Sequence, residues 1–242
     1  MKKSQKTSEL LWVFGIIFVA LGVAICSKAD LGVSMVAAPA FVVFDAIKSL
    51  WSGFSVGMTE YIIQGLMLIL LCVIIRKFNW RYLIAFAVAV IYGYVLNFFL
   101  WLLNDVTFNA IWLRWVMLIV GDIVTAFGVA CFFKTYMPLQ VYELFVAETS
   151  KKFNIIVTKV KSVFDISLLT LSIILAVTLF FTELTSFNWA TIYYQSFHSI
   201  GLGTLVTTIL NAPFISLCSK FINAIFEPTA RFTKLENFFK TS

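Results

Sequence analysis

Residues 22–44, GVAICSKADLGVSMVAAPAFVVF, decide how this chain reads, because part of the stretch is written twice. Gly22-Val23-Ala24 followed by Lys28 returns as Gly128-Val129-Ala130 followed by Lys134, at one offset of 106 residues (128 − 22 and 134 − 28). Each copy closes an apolar run with a lysine and leads into a short helix-like segment. One closes the first apolar run of the first half of the chain, the other the first apolar run of the second half. The chain therefore reads as two related halves, each built around a lysine and a broken helix.

The composition places those halves in a bilayer. Of 242 residues, 61% are hydrophobic and 12% charged, with 26 Phe, whereas a soluble domain holds roughly half apolar and about a quarter charged residues. Apolar runs near the roughly 20 residues needed to cross hydrocarbon recur from end to end. The net charge of +6 does not suggest nucleic acid, since the basic residues sit in short clusters between apolar runs, where they set orientation. Cys26, Cys72, Cys131 and Cys218 lie in or beside apolar segments with no metal-ligand spacing, and read as small buried hydrophobes. Met1-Lys2-Lys3 before an apolar run resembles a secretory signal, but no hydrophilic domain follows, so that run reads as the first transmembrane helix.

Spans are expected over 10–27, 58–75, 82–103, 112–133, 163–181 and 197–218. Of two further segments, 136–153 with Pro138 is too polar to cross alone, while 33–44 with Pro39 either crosses or only dips in, which orientation decides. If 33–44 only dips into the membrane, the N-terminal lysines, Arg76-Lys77-Arg81, Lys151-Lys152-Lys159-Lys161 and the basic C-terminal tail all face the cytoplasm, and the loops at Asn104-Asp105 and Glu183 face out. Short-loop Lys/Arg bias favours this arrangement. The expected fold is an all-α polytopic membrane protein: six transmembrane helices as two inverted three-helix repeats, each with a short broken or re-entrant helix after its first span. The repeats are 1–109 and 110–226, with a basic amphipathic cytoplasmic tail over 227–242. Three-span halves related by a two-fold axis in the membrane plane are a construction of many secondary transporters.

The candidate site follows from the repeat. Lys28 and Lys134 each stand just before a short helix, with Asp30 and Ser34 as candidate N-caps of the first and Pro138 in the first turn of the second. A lysine beside a helix N-terminus favours an anion; the plainer alternative is that both snorkel to opposite interfaces. Asp122 lies mid-span, where a carboxylate is costly unless it pairs, titrates or meets water, and is the candidate ion-coupling acid. His198, the single histidine, is a second ion-coupling candidate because imidazole as a side-chain type changes charge near neutral pH. Gln64 and Asp165 occupy matching places in the two halves, and Gln140 decorates the second short helix. Substrate-binding candidates are therefore Lys28, Asp30, Ser34, Gln64, Lys134, Gln140 and Asp165. Glu60 and Glu143 read as interface markers, Asn97 and Asn211 as interhelical glue. Gly201-Leu202-Gly203 lacks the strand–turn–helix context of a dinucleotide loop.

Lys28-Ala29-Asp30-Leu31-Gly32-Val33-Ser34 resembles the K-A-D-L-G-[VI]-S stretch of the YczE/YitT-like bacterial integral membrane proteins, and Ile200-Gly201-Leu202-Gly203-Thr204 with Asn211-Ala212-Pro213-Phe214-Ile215 is similar to that family's C-terminal signature. The second copy, Lys134-Thr135-Tyr136-Met137-Pro138, has lost the Asp and Gly of the first. The resemblance implies a bacterial cell-membrane protein of this fold. With no catalytic constellation and no cofactor motif, the expectation is not an enzyme but a secondary transporter or exporter of a small anionic or zwitterionic solute, proton-coupled, with its site between the repeats. The alternative is a non-transporting membrane subunit, a substrate-capture or immunity-type accessory working with a separate chain. Expected partners are the lipid bilayer and a small-molecule solute, with a homodimer as a compatible assembly.

Overall fold

The computed structural model describes residues 4–51 and 53–229. Helices α1 (Ser8–Lys28), α3 (Val56–Ile75), α4 (Arg81–Leu102), α5 (Ile111–Phe132), α7 (Val157–Leu179) and α9 (Leu202–Ile225) are long and apolar enough to cross a membrane. Between them lie α2 (Ala38–Ile47), α6 (Val141–Phe153), the four-residue α8 (Phe181–Leu184) and a 3-10 turn (Trp189–Tyr193). Strands β1 (Ser4–Thr7) and β2 (Phe226–Thr229) pair in parallel, so the start of the expected tail is a strand; residues 230–242 lie outside the described residues.

The spans are inside-out relative to a soluble helix. Leu66, Ile69 and Val73 on α3 and Ile166, Ile173 and Ile174 on α7 are exposed, while Glu60, Gln64, Asp165 and Ser172 on the same helices are buried. Apolar surface costs nothing against lipid tails, so burial goes to the polar groups that need partners. About half of α1 (50%) and of α5 (56%) is buried, against 28–33% of the other spans, which places this pair at the centre.

Glycine explains how close the central pair comes. Gly22 packs on Gly121 and Gly15 on Gly128; a Cβ built on Gly22 would stand 2.6 Å from the Gly121 carbonyl oxygen, and one on Gly128 2.9 Å from that of Gly15. Small residues let membrane helices approach to backbone contact. The four glycines are two pairs at the 106-residue offset, and each contacts the counterpart of the other: the exchange of partners a two-fold axis requires.

The remaining packing obeys the same axis. Helix α2 packs on α7 and α6 on α3, so each short helix docks on the other repeat, while α1 meets α4 as α5 meets α9. This is the expected inverted repeat, with the third span of the second half displaced: a turn through His198 and Ser199, both at positive φ, delays α9 to Leu202, and α7 starts at Val157, six residues before the expected 163.

Segment 33–44 re-enters rather than spans. Lys28 Nζ donates to the Asn104 carbonyl beyond the end of α4, and Asp45 near the end of α2 accepts from Ser199 just before α9, so the chain enters and leaves on one face. The ten residues of α2 rise about 15 Å, half of a roughly 30 Å core. Its extended lead-in is buried at Ala29, Leu31, Val33 and Met35 and bonded to the α9 approach, Val33 N–H to Ser199 and Gly203 N–H to Leu31. Irregular backbone at that depth survives only when covered by protein in this way. The second half repeats the device from the opposite face.

Candidate functional site

Helix periodicity builds the site by placing polar residues one turn apart on the buried stripe of each span. Glu60 and Gln64 share one face of α3, and Lys161 and Asp165 one face of α7. The two pairs are matched at an offset of 101 residues, so the axis brings them in from opposite halves. Asp122 projects from the middle of α5 and Asn211 from α9. Helix α6 adds Gln140 at its N-cap, then Tyr142 and Glu143 in its first turn.

These side chains meet in the protein interior. Lys161 Nζ lies 2.6 Å from Asp165 Oδ1, Asn211 donates to Asp122 Oδ1 at 2.9 Å, and the Tyr142 hydroxyl donates to Glu60 Oε2 at 3.1 Å. Glu60, Asp122, Glu143, Lys161 and Asp165 are each no more than 3% exposed. The charges of Lys161 and Asp165 act on both Asp122 and Glu143, and that of Glu143 acts on Glu60. One buried ammonium thus acts on three buried carboxyl groups, Asp122, Glu143 and Asp165, while Glu60 joins them through Glu143. Each uncompensated ion in a low-dielectric interior costs several kcal/mol, so protons or another cation must accompany the carboxylates.

A void of about 10 Å³, the size of one water, lies between Val19, Thr125, Gln140, Glu143, Lys161 and Asn211. Lys161 also lines a vestibule of about 290 Å³ with Lys134, Thr158, Ser216 and Ser219. Lys161 therefore lines both the void and the vestibule.

The expected two-lysine site is corrected. Helices α1 and α5 run antiparallel, Lys28 is the last residue of α1 and Lys134 follows α5, so the two stand at opposite ends of the pair, roughly 30 Å apart by helix rise. Asp30 is likewise at the Lys28 end, at φ +53° and ion-paired with Arg114 at 2.8 Å. The cap of α2 is Ala37, not Asp30 or Ser34; Ser34 is buried against Met35 Sδ, and Pro138 precedes α6 instead of opening it. His198 stacks on Phe180 at 3.5 Å and pairs with Glu183 just before α9, away from Asp122 in mid-span. Of the expected residues the structure brings together Gln64, Asp122, Gln140 and Asp165. It adds Lys161, Glu60, Tyr142, Glu143 and Asn211.

The two ends of the central pair are fastened by matched contacts. At the Lys28 end Arg114 joins Asp30 and donates to the Tyr194 and Phe108 carbonyls. At the Lys134 end Ser8 accepts from the Tyr136 N–H at 3.3 Å, Glu9 accepts from the Tyr136 hydroxyl, and Trp12 donates to the Pro138 carbonyl. Arg114 is the 106-residue counterpart of Ser8, and Tyr136 that of Asp30.

No curated protein and no solved structure compared with the chain matches it. The family that does match does not carry the YczE/YitT-like name suggested by the motifs. The chain belongs to the family described as a family of unknown function (DUF6198), which it matches over residues 6–220.

Proposed function

We propose that the chain is a proton-coupled secondary transporter of a small solute, working in a bacterial cell membrane with both termini cytoplasmic. The observation that supports this most is the buried acid cluster on the pseudo-two-fold axis, fed by both repeats and by the inner end of a re-entrant helix. Ionisable groups this deep in a membrane protein are expensive to keep and mark proton or substrate paths, and a midplane site between inverted repeats is the arrangement of secondary transporters. Proton coupling rests on Asp122, Glu143, Asp165 and Glu60 with Lys161; the groups packed around them are Tyr92 of α4, Tyr142, Cys26 of α1 and Asn211. With the lysines of the sequence repeat apart, a purely anionic solute loses its argument, whereas a zwitterion keeps a place for its positive end. The matched contacts at the two ends serve as the alternating closures.

The test is uptake by vesicles containing only the purified chain, placed in a deproteinised cell extract, with a pH gradient imposed and accumulated solutes identified by mass spectrometry. At least one solute should accumulate in a gradient-dependent way and fail to do so with Asp122→Asn. Accumulation no greater than in protein-free vesicles would contradict transport and favour an accessory subunit.

A further inference from the structure

We propose that the central cluster binds a primary ammonium group, and that this group displaces a proton from the carboxylates when it binds. The inference rests on the transport reading and names the ligand chemistry of its site. Three observations carry it. First, the unpaired polar atoms on the residues that line the void are acceptors: Gln140 Oε1, Glu143 Oε2 and Asn211 Oδ1 are buried with no hydrogen-bond partner, and Asp122 Oδ2 and Asp165 Oδ2 nearby are further carboxyl oxygens that need a donor or a cation. An ammonium brings three donors and a charge, while a carboxylate or phosphate brings only more acceptors. Second, the site already holds such a group, since the Lys161 ammonium sits 2.6 Å from Asp165 with its side chain 4% exposed. Third, the void beside it is about 10 Å³, room for a water-sized head, and the Lys161 side chain lines both this void and the vestibule, where the remainder of the molecule would lie.

The proton balance is simple. An ammonium arriving at a neutral carboxyl leaves an ammonium–carboxylate pair and one proton in solution; arriving at an ionised one, it releases none. A site that cannot keep several bare carboxylates releases protons on binding. Proton and solute then compete for the same oxygens, which is the linkage an exchanger needs.

The experiment measures pH in weakly buffered detergent solution of the purified full chain while n-propylammonium chloride, sodium chloride or sodium propionate is added from stocks at matched pH. Propylammonium should cause a saturable release approaching about one proton per chain; sodium and propionate should not. Glu143→Gln should abolish the release or demand roughly tenfold or more probe, and Asp122→Asn, which keeps the shape that meets Asn211, serves if the first variant does not fold. Asp45→Asn, at the far end of α2, should behave as wild type. No release with propylammonium, an equal release with sodium, or release unchanged in folded Glu143→Gln and Asp122→Asn would each overturn the proposal; the first would leave the cluster to water alone, the second to an alkali cation. Binding requires no transport, so vesicles that accumulate another solute while propylammonium releases nothing would sink this inference and leave the transport reading standing.

Discussion

Lys134 and Lys161 line the same vestibule, yet Lys134 is half-buried and Lys161 is buried against Asp165. The difference comes from position along the helix: Lys134 follows the last turn of α5, whereas Lys161 lies inside α7 with its acidic partner one turn on. Removing one member of a buried ion pair strands the other, at about 3–5 kcal/mol. Lys161→Met is therefore expected to lower the unfolding free energy in detergent by that amount, and Lys134→Met by well under about 1 kcal/mol; equal losses would place both at the surface. Asp122→Asn should leave the fold intact and remove gradient-driven uptake, since the amide replaces the carboxyl in shape but carries no proton in exchange. A variant that unfolds, with uptake per folded molecule unchanged, would make Asp122 a structural pin. Asp122 was legible in the sequence because a mid-span acid stands out against Leu118-Ile119-Val120. Lys161 was not, because it closes a run with Lys151, Lys152 and Lys159 that reads as a solvated cytoplasmic loop. The signal that finds it is spacing: Glu60 with Gln64 and Lys161 with Asp165 are both four apart, in matched helices.

At the scale of elements, the α1–α5 seam has no room for side chains where the glycines meet. Gly22→Val would press its Cβ and methyls into the Gly121 backbone, 2.6 Å away before any relaxation, at a cost of about 1–3 kcal/mol or more. Gly53, in the loop before α3 with the Trp51 ring as its nearest neighbour at 3.3 Å, should accept alanine within about 0.5 kcal/mol. Thermal melts of the two variants give the comparison, and matching losses would contradict a close seam. The six spans and the two short helices were readable from apolar run length and from Pro39 and Pro138 as interruptions. The lysine pairing was misread because the repeat is inverted: residues matched in sequence end up on opposite faces, so sequence equivalence argues for distance. Glu143 was read as an interface marker because it lies on a segment too polar to span; only the insertion of that segment from one face brings its polar turn to the middle of the molecule.

For the whole molecule, the two ends are closed by counterparts of unequal strength, an ion pair reinforced by two carbonyls at Arg114 and neutral hydrogen bonds at Tyr136 with a tyrosine–carboxylate contact at Glu9. The Arg114–Asp30 pair is partly exposed, with side chains 20% and 44% accessible, and pairs of that kind contribute about 0–1 kcal/mol to stability. Arg114→Gln should consequently shift the melting temperature little while opening the Lys28 end, seen as faster modification there of a cysteine placed at the central void. A large loss of stability with no gain in access would make Arg114 a structural brace. The central claim is that one buried site opens to each side in turn. The measurement that meets it most directly is labelling of Val23→Cys, beside the void, in a chain whose four native cysteines are replaced, using a membrane-impermeant thiol reagent applied to either side of oriented vesicles. The account predicts labelling from both sides, with the balance moved by the direction of an imposed pH gradient. Labelling from one side alone, whatever the gradient, would contradict it.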